Sequence, residues 1–201
     1  LSWPERQGST KNFVAEVDGF DNDVAFVTNT KINFCASVYP TTVPTHEDSP
    51  VLSVLALILR NNYLHNEIRE KGGAYGGGAI HDSANGVFKF FSFRDPNLLD
   101  TFTAFEKSLE WATSSKLSSE FVEEAVLGVI SSLDAPGTPA GEAKQCFHHE
   151  LFGITEVSRR EFRKRVLGTQ VHDVRRVAQT YFSNKVRRAV VTNSQNRSHV
   201  E

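Results

Sequence analysis

Apolar and polar positions alternate along much of the first third of the chain. Phe13-Val14-Ala15-Glu16-Val17, Val24–Val27 and Ile32–Tyr39 read as strands, the last in the two-residue period of a half-buried strand. Gly19–Asp23 and Asn29-Thr30-Lys31 supply turns between them, and residues 40–50 form a polar loop with three prolines. Val51–Leu59 is then apolar almost all round and continues to Ile68 without a breaker. That length predicts a helix through the core, stopped by Gly72-Gly73 with glycine in the left-handed position just beyond the helix end. Ala74–His81 and Val87–Phe93 read as a hairpin across Ser83-Ala84-Asn85-Gly86.

The second half reads as helices. Asp95-Pro96 is placed as N-cap and first helical residue, with Leu98, Phe102, Phe105, Leu109 and Ala112 as the buried stripe. Further helices cover about residues 120–132, start at Thr138-Pro139, open at a Ser158-to-Glu161 capping box, and span about 171–183, with Val171, Val174, Ala178 and Tyr181 on one face. Arg188–Thr192 closes the pattern as a strand. Strands, a helix, a hairpin, several helices and a final strand predict an α+β fold, a largely antiparallel sheet with helices packed on one face. Residues 1–11 read as a linker or ragged edge, 12–193 as one domain and 194–201 as a frayed tail.

Composition adds limits. The 201 residues suit one domain with a proper core. No apolar run is long enough to span a bilayer, and no signal peptide is visible, so the compartment stays open. The chain has no methionine and reads as a segment of a longer protein. Cys35 and Cys146 each have apolar neighbours and read as buried free thiols. The net charge of −2 conceals an asymmetry. Residues 151–201 carry 11 Lys and Arg against 4 Asp and Glu, whereas residues 1–150 carry 11 against 20. An acidic body favours basic peptides through its summed field; solvated helix faces, or a basic face docked on a neighbouring domain, account for the same pattern.

No zinc-hydrolase motif is present. His46-Glu47 is followed by Asp-Ser-Pro, and His148-His149 sit adjacent, on different sides of a helix, so neither set closes on one ion. No Gly-x-Ser-x-Gly elbow occurs. The glycines at 72, 73, 76, 77 and 78 follow a helix instead of opening one, which presents carbonyls to a phosphate and argues against nucleotide binding. Peptide binding suits the segment better. Arg69 offers fixed guanidinium donors, Tyr75 a hydroxyl, and glycines in an edge strand leave the backbone open to an extended peptide. The competing reading has Arg69 capping carbonyls of its own helix and Tyr75 simply packing.

The run Leu64-His-Asn-Glu-Ile-Arg-Glu-Lys-Gly-Gly-Ala-Tyr-Gly76 resembles the carboxy-terminal-half signature of the pitrilysin/insulinase superfamily of zinc metallopeptidases, in its presequence-protease and falcilysin branch. Phe93-Arg-Asp-Pro-Asn97, the loop from Asp134 to Pro139 and Ala189–Asn193 are similar to that branch too. The resemblance implies a metallohydrolase-like, non-zinc last domain. It implies that Arg69 and Tyr75, with Gly72, Gly73, Gly76 and Gly77, bind the substrate backbone near the scissile bond as auxiliary residues without cutting it themselves. It implies no metal in this domain, zinc in an N-terminal domain, and short unstructured peptides as substrates. The other domains of the polypeptide are then the partners, with no nucleic acid and no membrane. The alternative is a non-catalytic structural or interaction module, or a subunit paired with a separate zinc-bearing chain.

Overall fold

The computed structural model describes residues 23–183 and 186–199. The strand expected at Phe13–Val17 lies outside them. A five-stranded sheet in the order β1-β5-β2-β4-β3 is built from β1 (Val24–Val27), β2 (Asn33–Pro40), β3 (Gly76–Asp82), β4 (Val87–Asp95) and β5 (Arg187–Thr192). Only β1 and β5 pair in parallel; β2, β3, β4 and β5 are joined antiparallel. The α+β class and the mainly antiparallel sheet are as the pattern predicts. The β3–β4 hairpin turns on Gly86, whose φ of 63° a residue with a side chain rarely adopts.

Alternation explains the layers. Along β2, Asn33, Cys35, Ser37 and Tyr39 are buried, whereas Phe34 and Pro40 are exposed on the other face. The buried face meets α1 (Ser49–Leu59), in which Leu52, Val54, Leu55, Ile58 and Leu59 are completely enclosed, and α2 (Leu99–Thr113) and α6 (Val171–Tyr181) complete that layer. The predicted stripe of α2 holds: Leu98, Phe105 and Ala112 are buried, and Phe102 and Leu109 pack partly against them. An aromatic cluster of Tyr39, Phe88, Phe90, Phe105 and Phe182 joins sheet to helices, with centroids 4.9–6.3 Å apart. Burial pushes the Cys35 thiol up to about 11, so it packs as a small apolar group.

Several local expectations are corrected. Helix α2 starts at Leu99, not at Pro96, because Asp95 belongs to β4 and turns inward. Helix α5 (Glu156–Leu167) is capped by the Thr155 side chain, which accepts from the Ser158 amide at 3.2 Å, so Ser158 lies inside the helix and not at its cap. Cys146 is exposed because α4 (Pro139–Leu151) buries none of its residues. Residues Ser194–His199 form a 3₁₀ helix, and Asn196 Nδ2 donates to Thr192 Oγ1 at 3.0 Å. The helix α3 (Ser119–Leu133) matches its expected span.

Part of the charge asymmetry is met internally. Basic residues of the last third pair with acidic residues of the body: Arg163 with Asp134 at 2.5 Å, Arg165 with Glu47 at 3.6 Å, Arg176 with Asp48 at 2.5 Å, and Arg188 with Glu106. These four pairs engage four of the 20 acidic residues of the first 150 and leave the rest of the asymmetry in place.

Candidate functional site

Helix α1 does not end at Leu59. It continues without a break as a π-wound segment, Arg60–Lys71, in which Leu64 and Ile68 stay buried and Arg69 points to solvent. Irregular winding of this kind is frequent at functional sites. The segment stops at the glycine pair: Gly72 keeps a right-handed conformation, and Gly73 is the left-handed residue, at a φ of 77°. The Gly73 and Ala74 amides return to the carbonyls of Arg69 and Ile68 at 3.0 and 3.1 Å, which closes the helix end. Tyr75 then leads into β3, beside β4 and at the edge of the sheet among the described residues.

Arg69 and Tyr75 therefore stand at the two sides of one tight turn. The Arg69 side chain is exposed and makes no hydrogen bond or ion pair among the described residues, so it does not cap its own helix. Tyr75 is 64% exposed, and its hydroxyl has no partner there either. Its ring, by contrast, is held. The Phe93 ring lies 5.7 Å away and the Arg94 guanidinium carbon 5.3 Å from the Tyr75 centroid, while the Tyr75 amide donates to the Arg94 carbonyl at 3.2 Å.

The glycines make room for this arrangement. A Cβ on Gly76 would lie 2.6 Å from the Phe93 ring, and one on Gly77 would lie 2.9 Å from the Phe91 carbonyl oxygen. Gly78 faces the Arg60 stem. The backbone of β3 thus runs closer to its neighbours than a side chain would allow.

The loop after β4 carries residues whose role the pattern of the chain did not expose. Asp95 is completely buried and accepts from the Asn97 amide at 2.9 Å and the Thr101 hydroxyl at 2.7 Å. Asn97 Nδ2 donates to the Gly72 carbonyl at 2.6 Å, and Asn33 Nδ2 donates to the carbonyls of Asp95 and Asn97 at 3.1 and 3.0 Å. These bonds tie the end of the Arg69-bearing helix to the strand that supports Tyr75. The signal was present in Phe93-Arg94-Asp95-Pro96-Asn97. Asp-Pro, however, reads equally well as a helix start, and only the fold turns Asp95 inward.

No group of three or more His, Cys, Asp or Glu side chains among the described residues is arranged to hold a metal ion. His148 and His149 sit on the exposed helix α4, and His46 Nδ1 lies 4.0 Å from an Asp48 oxygen. The described residues do not fit a zinc site. No described helix is long and apolar enough to cross a membrane.

Comparison with known proteins agrees with this architecture. The chain is 41% identical over 160 residues to the mitochondrial presequence protease of Emericella nidulans, a match covering 80% of the chain and 15% of that relative. It is 38% identical over 154 residues to the protein of the same name from Yarrowia lipolytica, covering 77% and 15%, and 38% over 152 residues to that from Xenopus laevis, covering 76% and 14%. The chain thus spans only about 15% of the length of these relatives. Among solved structures, a protease from Helicobacter pylori superposes with a TM-score of 0.70 at 16% identity, over 86% of this chain and 44% of that one. A peptidase M16 inactive domain from Pseudomonas fluorescens gives 0.68 at 13% identity, over 86% and 43%. These two likenesses speak for the fold. Residues 23–195 match the family described as the PreP C-terminal domain, and the chain belongs to that family.

Proposed function

We propose that this chain is the substrate-binding, transition-state-assisting domain of a zinc metallopeptidase that degrades short unstructured peptides. Zinc and the hydrolytic step belong to an N-terminal domain of the same polypeptide. The observation that carries the reading is the state of the two donors. Arg69 and Tyr75 are both exposed and both lack a hydrogen-bonding partner for their polar ends among the described residues, although the Tyr75 ring is firmly supported. A guanidinium and a phenol left free at a tight turn are prepared to donate to something outside the chain. A peptide carbonyl suits both, and the edge strand β3, with Gly76 and Gly77 at its start, offers main-chain groups along which an extended peptide can lie.

In the hydrolytic step the scissile carbonyl oxygen gains negative charge. Donors already in place near it stabilise that charge more than they stabilise the bound substrate, which is the condition for raising kcat. Arg69 supplies a permanent positive charge and several N–H donors; Tyr75 supplies one O–H. Neither side chain can break a peptide bond, so the domain alone is inactive.

The mitochondrial presequence proteases that the chain resembles support the peptide-hydrolase reading, and their greater length supports other domains of one polypeptide as partners. Helix α4 suits such contact: Phe147 and Leu151 are 65% and 64% exposed on a helix that buries nothing. In the full-length polypeptide, Arg69→Ala or Tyr75→Phe lowers kcat/KM on a short unstructured peptide by about tenfold or more, on the scale of a lost oxyanion donor. Wild-type kinetics in both variants would leave the interaction-module reading in its place.

A further inference from the structure

The least comfortable residue of the fold lies beside Tyr75. Among the described residues Arg94 is the only non-glycine with a positive φ, at 49°. Its side chain carries no polar group close to the backbone, so it lacks the local hydrogen bond that lets asparagine or aspartate adopt this conformation. The strain coincides with an irregularity in the sheet. Asn33 pairs with Asp95 and Cys35 with Ser92, so β2 advances two residues while β4 advances three. The extra residue on β4 is a β-bulge covering Phe93 and Arg94, and bulges re-aim side chains next to functional sites.

Two side chains are re-aimed here. The Arg94 guanidinium is carried over the Tyr75 ring, at 5.3 Å, and the Phe93 ring is set against the same tyrosine, at 5.7 Å, with Phe91 stacked behind it at 6.4 Å and 15°. The Arg94 carbonyl meanwhile receives the Tyr75 amide at 3.2 Å. Arg94 is exposed and has no carboxylate or hydrogen-bonding partner for its side chain among the described residues. A bulge needed only for the path of the chain would be met with less strain by glycine. An arginine there contributes its side chain, and that side chain touches Tyr75.

We propose that Arg94 is the positioning residue for Tyr75. Its bulged, left-handed backbone holds the tyrosine main chain and its guanidinium holds the ring, so that the phenol is presented in one orientation to the peptide carbonyl. This rests on the reading of Arg69 and Tyr75 as peptide donors. Arg94 acts through Tyr75 and not on the substrate.

The test uses the full-length polypeptide, a short unstructured fluorogenic peptide and thermal unfolding in parallel. Arg94→Gly keeps the left-handed backbone and removes only the side chain. It leaves the unfolding midpoint unchanged or raised and lowers kcat/KM by about three- to fivefold, the scale of an exposed cation–π contact. In a Tyr75→Ala background the same substitution causes no further loss, which a purely structural role would not produce. Arg94→Lys, which keeps the charge, recovers part of the activity in the otherwise unaltered protein. Full activity of Arg94→Gly, or an equal loss with and without Tyr75, overturns the proposal. If Arg69→Ala and Tyr75→Phe are impaired while Arg94→Gly is not, this proposal falls and the peptide-donor reading stands. If neither Arg69→Ala nor Tyr75→Phe is impaired, the donor reading itself falls.

Discussion

Asn97 Nδ2 donates a 2.6 Å hydrogen bond to the carbonyl oxygen of Gly72, joining the loop after β4 to the last turn of the helix that carries Arg69. The bond fixes the distance between two segments that approach each other nowhere in sequence. Asn97→Ala removes the donor and leaves the Gly72 carbonyl to water. The expected cost is about 1 kcal/mol of stability, a fall in midpoint of about 2–4 °C for a domain of this size. Because Arg69 sits three residues before Gly72, kcat/KM falls as well. Unfolding of this domain and peptide kinetics of the full-length polypeptide check the two parts, and an unaltered kcat/KM would show that the helix end is held without Asn97.

Much of this neighbourhood was legible in the chain. The alternation of Ile32–Tyr39 and the Ser83–Gly86 turn point to β2 and the β3–β4 hairpin, and the apolar run from Val51, which alone suits a buried strand too, is settled as α1 by its continuation to Ile68. The π winding of Arg60–Lys71 was not legible, because placing Leu64 and Ile68 inside suits an α-helix equally well. The role of Asp95 was hidden for another reason. Its Asx-type bond to the Asn97 amide is the same chemistry as an N-cap, and only long-range pairing with Asn33 shows it to be a strand end. Arg94 needed the same long-range information, since a bulge is a mismatch between two strands and neither strand carries it alone.

The glycine pair separates two kinds of cost. Space is available at Gly73, where an added Cβ meets only Pro96 Cγ at 3.7 Å, but the φ of 77° makes Gly73→Ala cost about 1–2 kcal/mol. Gly72 has an ordinary φ, but an added Cβ there lies 2.6 Å from the Ile68 carbonyl oxygen. Gly72→Ala therefore distorts the helix end itself, and it lowers kcat/KM more than Gly73→Ala does. Denaturant unfolding together with kinetics of the two variants decides this; the reverse order of activities would contradict it.

Gly76→Ala acts by a different route. Its Cβ would stand 2.6 Å from the Phe93 ring, which is partly exposed and free to swing away. Stability then changes by less than about 1 kcal/mol, because an exposed ring relaxes more easily than backbone. Activity falls nonetheless, as the Phe93 ring no longer supports Tyr75. A variant with wild-type kcat/KM would show that this support is unimportant.

Asp48 is a structural anchor far from the site in sequence terms. Its carboxylate accepts from Arg176 Nη2 at 2.5 Å and from the Tyr181 hydroxyl at 2.7 Å, tying the start of α1 to α6. The hydrogen bond from Arg176 holds the Asp48 carboxyl below its ordinary range. A depressed carboxyl contributes stability that is present above its unfolded value and is lost as pH falls through the folded one. Asp48→Asn costs about 1–3 kcal/mol near neutrality and less at pH 3, so its unfolding midpoint depends less on acid. Parallel midpoint curves for the two proteins across that range would refute the assignment.

His81 sets a second acid transition, opposite in chemistry and alike in sign. It lies on β3 beside α1, with Nδ1 3.4 Å from Ser53 Oγ, and its Nε2 is enclosed with no side-chain hydrogen bond among the described residues. Burial pulls it down to about 4 from 6.5. Between those values the unfolded chain binds a proton that the folded chain does not, so stability rises with pH across that window and falls as pH drops from 6.5 toward 4. Below 4 both states carry the proton and the contribution is flat. At about 1.4 kcal/mol per pKa unit the upper bound is about 3–4 kcal/mol. His81→Gln removes this titration, so its stability is flatter between pH 6.5 and 4, while His149, also lowered by partial burial, keeps some slope in that window. Denaturant unfolding at half-unit steps of pH measures the slope, and an unchanged slope in His81→Gln would place the transition elsewhere.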